Sequence, residues 1–253
     1  MPEHRFHTPE PIELEVKIPA GDIVIETVDG EESTVVVEGS EKLAENTFVE
    51  LRGNRLVVEF RGPKSLGFSI EIGGWRIGNE KLNVHARIPH FSRLIVNTVS
   101  GDTNVTGRIA SIDAKTMSGD LAVFAEVDGD AAVKTVSGDV RFQASIGRDL
   151  QAQTVSGDVY AARVGGSVTT KSVSGDVRIE SVREGRATLQ SVSGDIFVAV
   201  ERGTSLDVDA NSVSGDLDSE VALGGELEGI EGDGPTLVVR GKTVSGDFRI
   251  GRA

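Results

Sequence analysis

The sequence predicts an all-β fold: a parallel β-solenoid, or β-helix, with about 19 residues per coil and an N-terminal cap of β-hairpins. Three observations predict it. First, the phrase Thr154-Val155-Ser156-Gly157-Asp158 recurs eight times with small changes. Its glycines (Gly101, Gly119, Gly138, Gly157, Gly175, Gly194, Gly215, Gly246) are 18, 19, 19, 18, 19, 21 and 31 residues apart. That period is too short for tetratricopeptide, ankyrin or propeller units and fits one solenoid coil. Second, apolar and small residues alternate before each phrase, as at Leu150, Ala152 and Thr154. Period two marks a strand with one buried face. Third, the chain is 38% hydrophobic but only 4% aromatic, as a narrow core of Val, Ile, Leu and Ala requires. The expected hand of the coil is right.

Residues 1–92 lack the phrase but echo it. Ile12 to Ile18 alternates and ends at Pro19, and Ala20-Gly21-Asp22 is a degenerate copy of Ser-Gly-Asp with its own strand, Ile23 to Ile25. Thr34 to Glu38, Phe48 to Leu51, Arg55 to Phe60 and Lys81 to Ile88 read as further strands, with Gly53-Asn54 as a tight hairpin turn. These are first coils widened by hairpins, a cap continuous with the solenoid proper at 93–253. A loop-like stretch, Gly62 to Gly78, holds the only tryptophan, Trp75, a candidate partner-binding tip.

Within the solenoid, the phrase is expected to form a corner. Alternation places Thr154 inward, and the next buried residue is taken to be Val155, with Val173 and Val192 in the same role. A second alternation then runs Val155, Gly157, Val159, Ala161. Glycine sits inward, where a side chain would strike the opposite wall or the backbone needs a glycine-only conformation. A third apolar residue (Val127, Ile146, Val164, Val182) turns the chain into the next coil. Stacked coils about 4.8 Å apart align equivalent residues in columns. The hydroxyl column (Thr98, Thr116, Thr135, Thr154, Ser172, Ser191, Ser212, Thr243) serves the bend. The aspartate column (Asp102, Asp120, Asp139, Asp158, Asp176, Asp195, Asp216, Asp247) faces out, and its mutual repulsion must be offset by solvent, backbone N–H groups, nearby Arg or Lys, or, as a lesser alternative, calcium. A mixed outward column, Arg141, Tyr160, Arg178 and Phe197, is a stabilising stack and a candidate binding strip for a peptide or glycan.

The end of the chain breaks the rhythm. An acidic, glycine-rich insertion at 217–235 precedes a final coil, Thr236 to Ile250, with no evident cap after it. Either the acidic insertion folds across that coil, or the coil is open at its outer edge and associates end to end with another copy.

Several function classes are disfavoured. A net charge of −14 argues against nucleic-acid phosphates and anionic lipid. No stretch approaches the apolar length of a membrane helix, and the start has no signal-peptide pattern, so direct membrane insertion is not expected and a cytoplasmic location is. The absence of cysteine excludes thiolate chemistry and disulfides. No phosphate loop, nucleophile elbow or zinc pattern is present. His4 and His7 have metal-like spacing, but on an end expected to fray. The acids fall on every coil rather than in one cluster, a poor signature for an enzyme site.

The tandem Val/Met-Ser-Gly-Asp copies, after Ile18-Pro19-Ala20-Gly21-Asp22-Ile23-Val24-Ile25, resemble the bacterial DUF4097 family. Its members, also called adhesins or toastrack-domain proteins, are built of β-strand repeats. The resemblance covers essentially the whole chain. It implies a parallel β-solenoid and a link to bacterial envelope stress, and it brings no catalytic residue or cofactor. The expectation is a non-catalytic scaffold acting through a protein partner or self-association. A surface adhesin binding glycan or protein on its outer face is the alternative, and a carbohydrate-active β-helix enzyme the second.

Overall fold

The corner at each phrase is built by a hydroxyl. In a computed structural model, which describes residues 3–61, 81–220 and 234–253, the Thr154 Oγ1 accepts the backbone N–H of Gly157 at 2.9 Å. Thr116, Thr135, Ser172 and Ser191 do the same for the glycine three residues on. This local bond closes a turn in which Thr and Gly point inward and the two residues between them point out. The alternation therefore breaks between Thr and Gly, and not between Thr and Val as the sequence suggests. Val155, Val173 and Val192 are 45%, 45% and 46% exposed and form a ridge on the corner. The hydroxyls of Thr98 and Thr243 are buried without a partner among the described residues.

The glycines are required by the coil beneath. A Cβ on Gly157 would land on the carbonyl oxygen of Gly138, and the same holds up the column from Gly101 to Gly194. The opposite wall plays no part, and of this column only Gly21 has a positive φ, +124°. Inward residues such as Val140, Phe142, Val159 and Ala161 are essentially fully buried, as are the predicted turn residues Val127, Ile146, Val164 and Val182.

One sheet carries the molecule. Its coils stack as parallel ladders in register: Leu150 beside Val168, Val168 beside Ala187 on one side, Val140 beside Val159, Val159 beside Val177 on the next. Strand Glu13–Ala20 does not start this stack. It lies between Arg55–Phe60 and Ser92–Ser100, and Ile23–Val28 lies between Asn83–Pro89 and Thr103–Thr106. The first coil in sequence is thus the second in space. The far end mirrors this. Thr236–Thr243 is inserted between Gly185–Gln190 and Ser205–Ser212, and Phe248–Arg252 between Ile196–Val200 and Leu217–Ser219. The coil expected to be open is therefore covered on both sides. Among the described residues the outermost coil is the one before it in sequence. The last strands, Thr236–Thr243 and Phe248–Arg252, are thus held between two neighbours, which resists the fraying usual at termini.

The N-terminal end is closed by antiparallel strands. Thr47–Arg52 pairs with Arg55–Phe60 across the predicted turn at Gly53, and Glu32–Glu38 pairs with Asn83–Pro89. Strand Glu3–His7 pairs in turn with Glu32–Glu38, so His4 and His7 lie on an ordered strand and not a frayed end. A short helix, Glu41–Glu45, buries Leu43 there; its five residues carry too little periodicity to be seen in sequence.

Candidate functional site

The outward columns locate the surfaces available for binding. The aspartates form a ladder in which each carboxylate Oδ1 accepts the backbone N–H of the aspartate one coil on, at 2.8–3.0 Å, from Asp102 through Asp120, Asp139, Asp158, Asp176 and Asp195 to Asp247 and Asp216. At the corner the side chain thus replaces the backbone carbonyl that regular pairing would provide. Asn83 fills the same place beneath Asp22. Arg141 and Arg249 pair with Asp139 and Asp247 at 2.7 and 2.9 Å. Backbone donors and arginines therefore offset the repulsion. Among the described residues no three acids or histidines converge as a metal cage would.

The mixed column is in register: Arg141 lies beside Tyr160, Tyr160 beside Arg178, and Arg178 beside Phe197. The Arg178 guanidinium sits 4.4 Å from the centre of the Phe197 ring and bonds Glu180 at 2.5 Å. The column continues to Arg249 and Asp218. Trp75 lies outside the described residues.

One arrangement that the sequence did not reveal resembles a hydrolytic triad. Thr27 Oγ1 is 2.8 Å from His90 Nδ1, and His90 Nε2 is 3.8 Å from Asp29. But the hydroxyl is 3% exposed at residue level and also bonds the Arg108 N–H and carbonyl. It fastens a turn and has no face open to a substrate.

Inward residues of the body are buried, whereas those on the outermost strands of both ends are only half-buried: Val49 and Leu51 on Thr47–Arg52, and Leu206, Val208 and Ala210 on Ser205–Ser212. Leu217 and Val213 on the same coil are exposed. A cavity of about 250 Å³ opens between Val208, Ala210, Leu217, Phe248 and Ile250. It is the unfilled end of the core. The coil's polar residues are one-sided in charge: Asp207, Asp209, Asp216, Asp218 and Glu220, with no Lys or Arg between 205 and 220. Sequence reasoning placed the open edge near here but on the wrong coil, because the swapped order of the last two coils has no local signal.

The Toastrack DUF4097 family model matches residues 10–251. Two solved structures share the fold. One, named "Putative lipid binding protein" from Parabacteroides distasonis ATCC 8503, is 17% identical with a TM-score of 0.61, covering 98% of this chain and 96% of its own. The other, a "putative adhesin" from Parabacteroides merdae ATCC 43184, is 12% identical with a TM-score of 0.57, covering 98% and 95%. No curated protein matches the chain in sequence. No described helix is long and apolar enough to cross a membrane.

Proposed function

Because this chain belongs to the Toastrack DUF4097 family, we propose that it is a non-catalytic β-solenoid scaffold that works by protein–protein contact. The contact is made at the C-terminal coil. The observation that carries this reading is the asymmetry of the two ends among the described residues: antiparallel strands and a helix close one, while the other ends on strands parallel to the body, with a cavity of about 250 Å³ open beside Val208 and Ala210. An unpaired edge with apolar residues behind it is the arrangement that recruits another strand. A second reading, adhesion to glycan or protein through the outer face, is favoured by the Arg178–Phe197 stack and by the adhesin name of a similar fold.

Leu217 and Phe48 are similarly exposed, 53% and 47%, at opposite ends. A photocrosslinking amino acid placed at each in turn, in the native cell, separates the readings. Discrete protein adducts from position 217 and none from 48 are expected. Equal labelling from both, or adducts only from a crosslinker at Tyr160, would reject the C-terminal contact.

A further inference from the structure

We propose that the C-terminal coil accepts a basic, extended strand of another protein, running parallel to Ser205–Ser212 and extending the solenoid by one more coil; this rests on the docking reading above. Three features of the edge define the occupant.

The first is the direction of its free backbone groups. Ser205 N–H donates to the Pro235 carbonyl, on the inner side. In a parallel strand successive residues bond to alternate sides. Leu206, Val208 and Ala210 therefore turn their N–H and C=O groups outward, and among the described residues no strand pairs with them. The Asp ladder ends the same way. Asp216 N–H is satisfied by Asp247, but among the described residues no further backbone N–H reaches the Asp216 carboxylate. An added coil would supply both sets of partners.

The second is charge. The edge coil carries five acids and no base. Its inner neighbour shows what it pairs with. Thr236–Thr243 sets Leu237 and Val239 inward, and Arg240 bonds Asp207 at 3.1 Å and approaches Asp209 at 3.8 Å. A strand on the outer side meets the same pattern. Apolar residues at alternate positions would close the cavity over Val208 and Ala210, with Arg or Lys between them.

The third is the exclusion of a second copy. Tail-to-tail pairing about a two-fold axis is antiparallel and would set Asp207 and Asp209 against those of the partner, and like charges directly opposite destabilise a sheet. Head-to-tail stacking would lay this parallel edge against Thr47–Arg52, which runs opposite to the body, and so would not continue the parallel coil.

The probe is a labelled peptide copying residues 236–243, TLVVRGKT, titrated into the full chain by fluorescence anisotropy. Saturable binding is expected, weakened about tenfold when Glu replaces the peptide's Arg and Lys. Val208→Pro removes one outward N–H while keeping an apolar ring, and an edge strand tolerates proline. It should abolish binding with the melting temperature nearly unchanged. Asp209→Lys, at an exposed position, should weaken wild-type peptide binding and improve that of the Glu peptide. No binding by the wild-type chain, or equal binding by the charge-reversed peptide, overturns the proposal. So does a Val208→Pro-sensitive dimer in sedimentation velocity without peptide. Adducts from Leu217 in the cell without peptide binding would sink the basic-strand inference alone; loss of both would sink the docking reading too.

Discussion

The two ends of this solenoid solve the same problem differently. Each must finish a stack of parallel strands whose last member has unpaired backbone groups and an uncovered core. At the N-terminus, Thr47–Arg52 and Glu32–Glu38 reverse direction and pair; Leu56 and Val58 behind Thr47–Arg52 are wholly buried, as Leu237 and Val239 are behind Ser205–Ser212, so strand direction and not burial sets the ends apart. At the C-terminus, Ser205–Ser212 keeps the direction of the body, and its inward residues stay half-buried. Both ends exchange neighbouring coils in the same way, so the difference lies in the strands laid over the exchanged pair. Finishing a solenoid takes residues that abandon the repeat, and only one end spends them.

The largest test of that contrast is the core. Leu56→Ala at the closed end should cost about 3 kcal/mol, because a buried cavity is left. Leu206→Ala, on a strand whose core face is already open, should cost under about 1 kcal/mol. Urea denaturation of both variants measures this, and equal losses would mean that the core face of the outermost C-terminal strand is as well covered as that of a strand lying beneath the N-terminal cap.

The glycine column gives a second, smaller contrast. Gly157→Ala forces a Cβ onto the Gly138 carbonyl with coils above and below, so about 2–3 kcal/mol is expected. Gly215→Ala makes the equivalent clash with Gly246. The outermost coil can splay away, and about 1 kcal/mol should suffice. Hydrogen exchange should show the Gly157 variant loosening neighbouring coils and the Gly215 variant only Ser205–Ser219.

The aspartates sharpen it further. Asp158→Ala removes the acceptor for the Asp176 N–H and should cost about 1–2 kcal/mol, while Asp158→Asn keeps an acceptor and should cost less. Asp216→Ala should be nearly neutral, since among the described residues no coil lies beyond it. Thermal melts of the three variants rank them.

Much of this is legible because a repeat states its own register. The glycine period gives the coil, Gly21 is recognisable as a degenerate copy, and the outward Asp and Arg–aromatic columns stand where alternation puts them. The features that escape the sequence share a physical cause. Val155 reads as buried because a hydroxyl-to-N–H turn resets alternation, and sequence period does not show which residue pair it resets. The order of coils at both ends is hidden because it is set by long-range pairing, and a strand such as Thr236–Thr243 reads identically inside the stack or at its edge. Asn83 goes unnoticed as the acceptor beneath Asp22 because it shares one oxygen with aspartate and nothing else with the phrase.

The smallest expected effect is a pH dependence confined to the closed end. Burial pushes the Glu15 carboxyl up, but hydrogen bonds from Lys17 and Arg55 outweigh it and hold the group below its ordinary value of 4.5. Arg55 belongs to the strand that Thr47–Arg52 covers and Glu15 to the one inside it, so this pair, 2.6 Å apart, helps fasten the cap. A carboxyl whose folded value is lowered stabilises the fold above its unfolded value, and that contribution fades as pH falls through the folded one. Glu15→Gln should therefore cost about 1 kcal/mol at neutral pH, and the gap to wild type should close below about pH 4.5. The counterpart at the open end, Arg240 with Asp207 and Asp209, involves well-exposed carboxylates. Salt screens such pairs, so Asp207→Asn should shift stability by under about 0.5 kcal/mol and by less still in about 1 M salt. Chemical denaturation of both variants across pH and salt decides it: if Asp207→Asn proves the costlier change, the open end is held as firmly as the closed one, and the contrast between them fails.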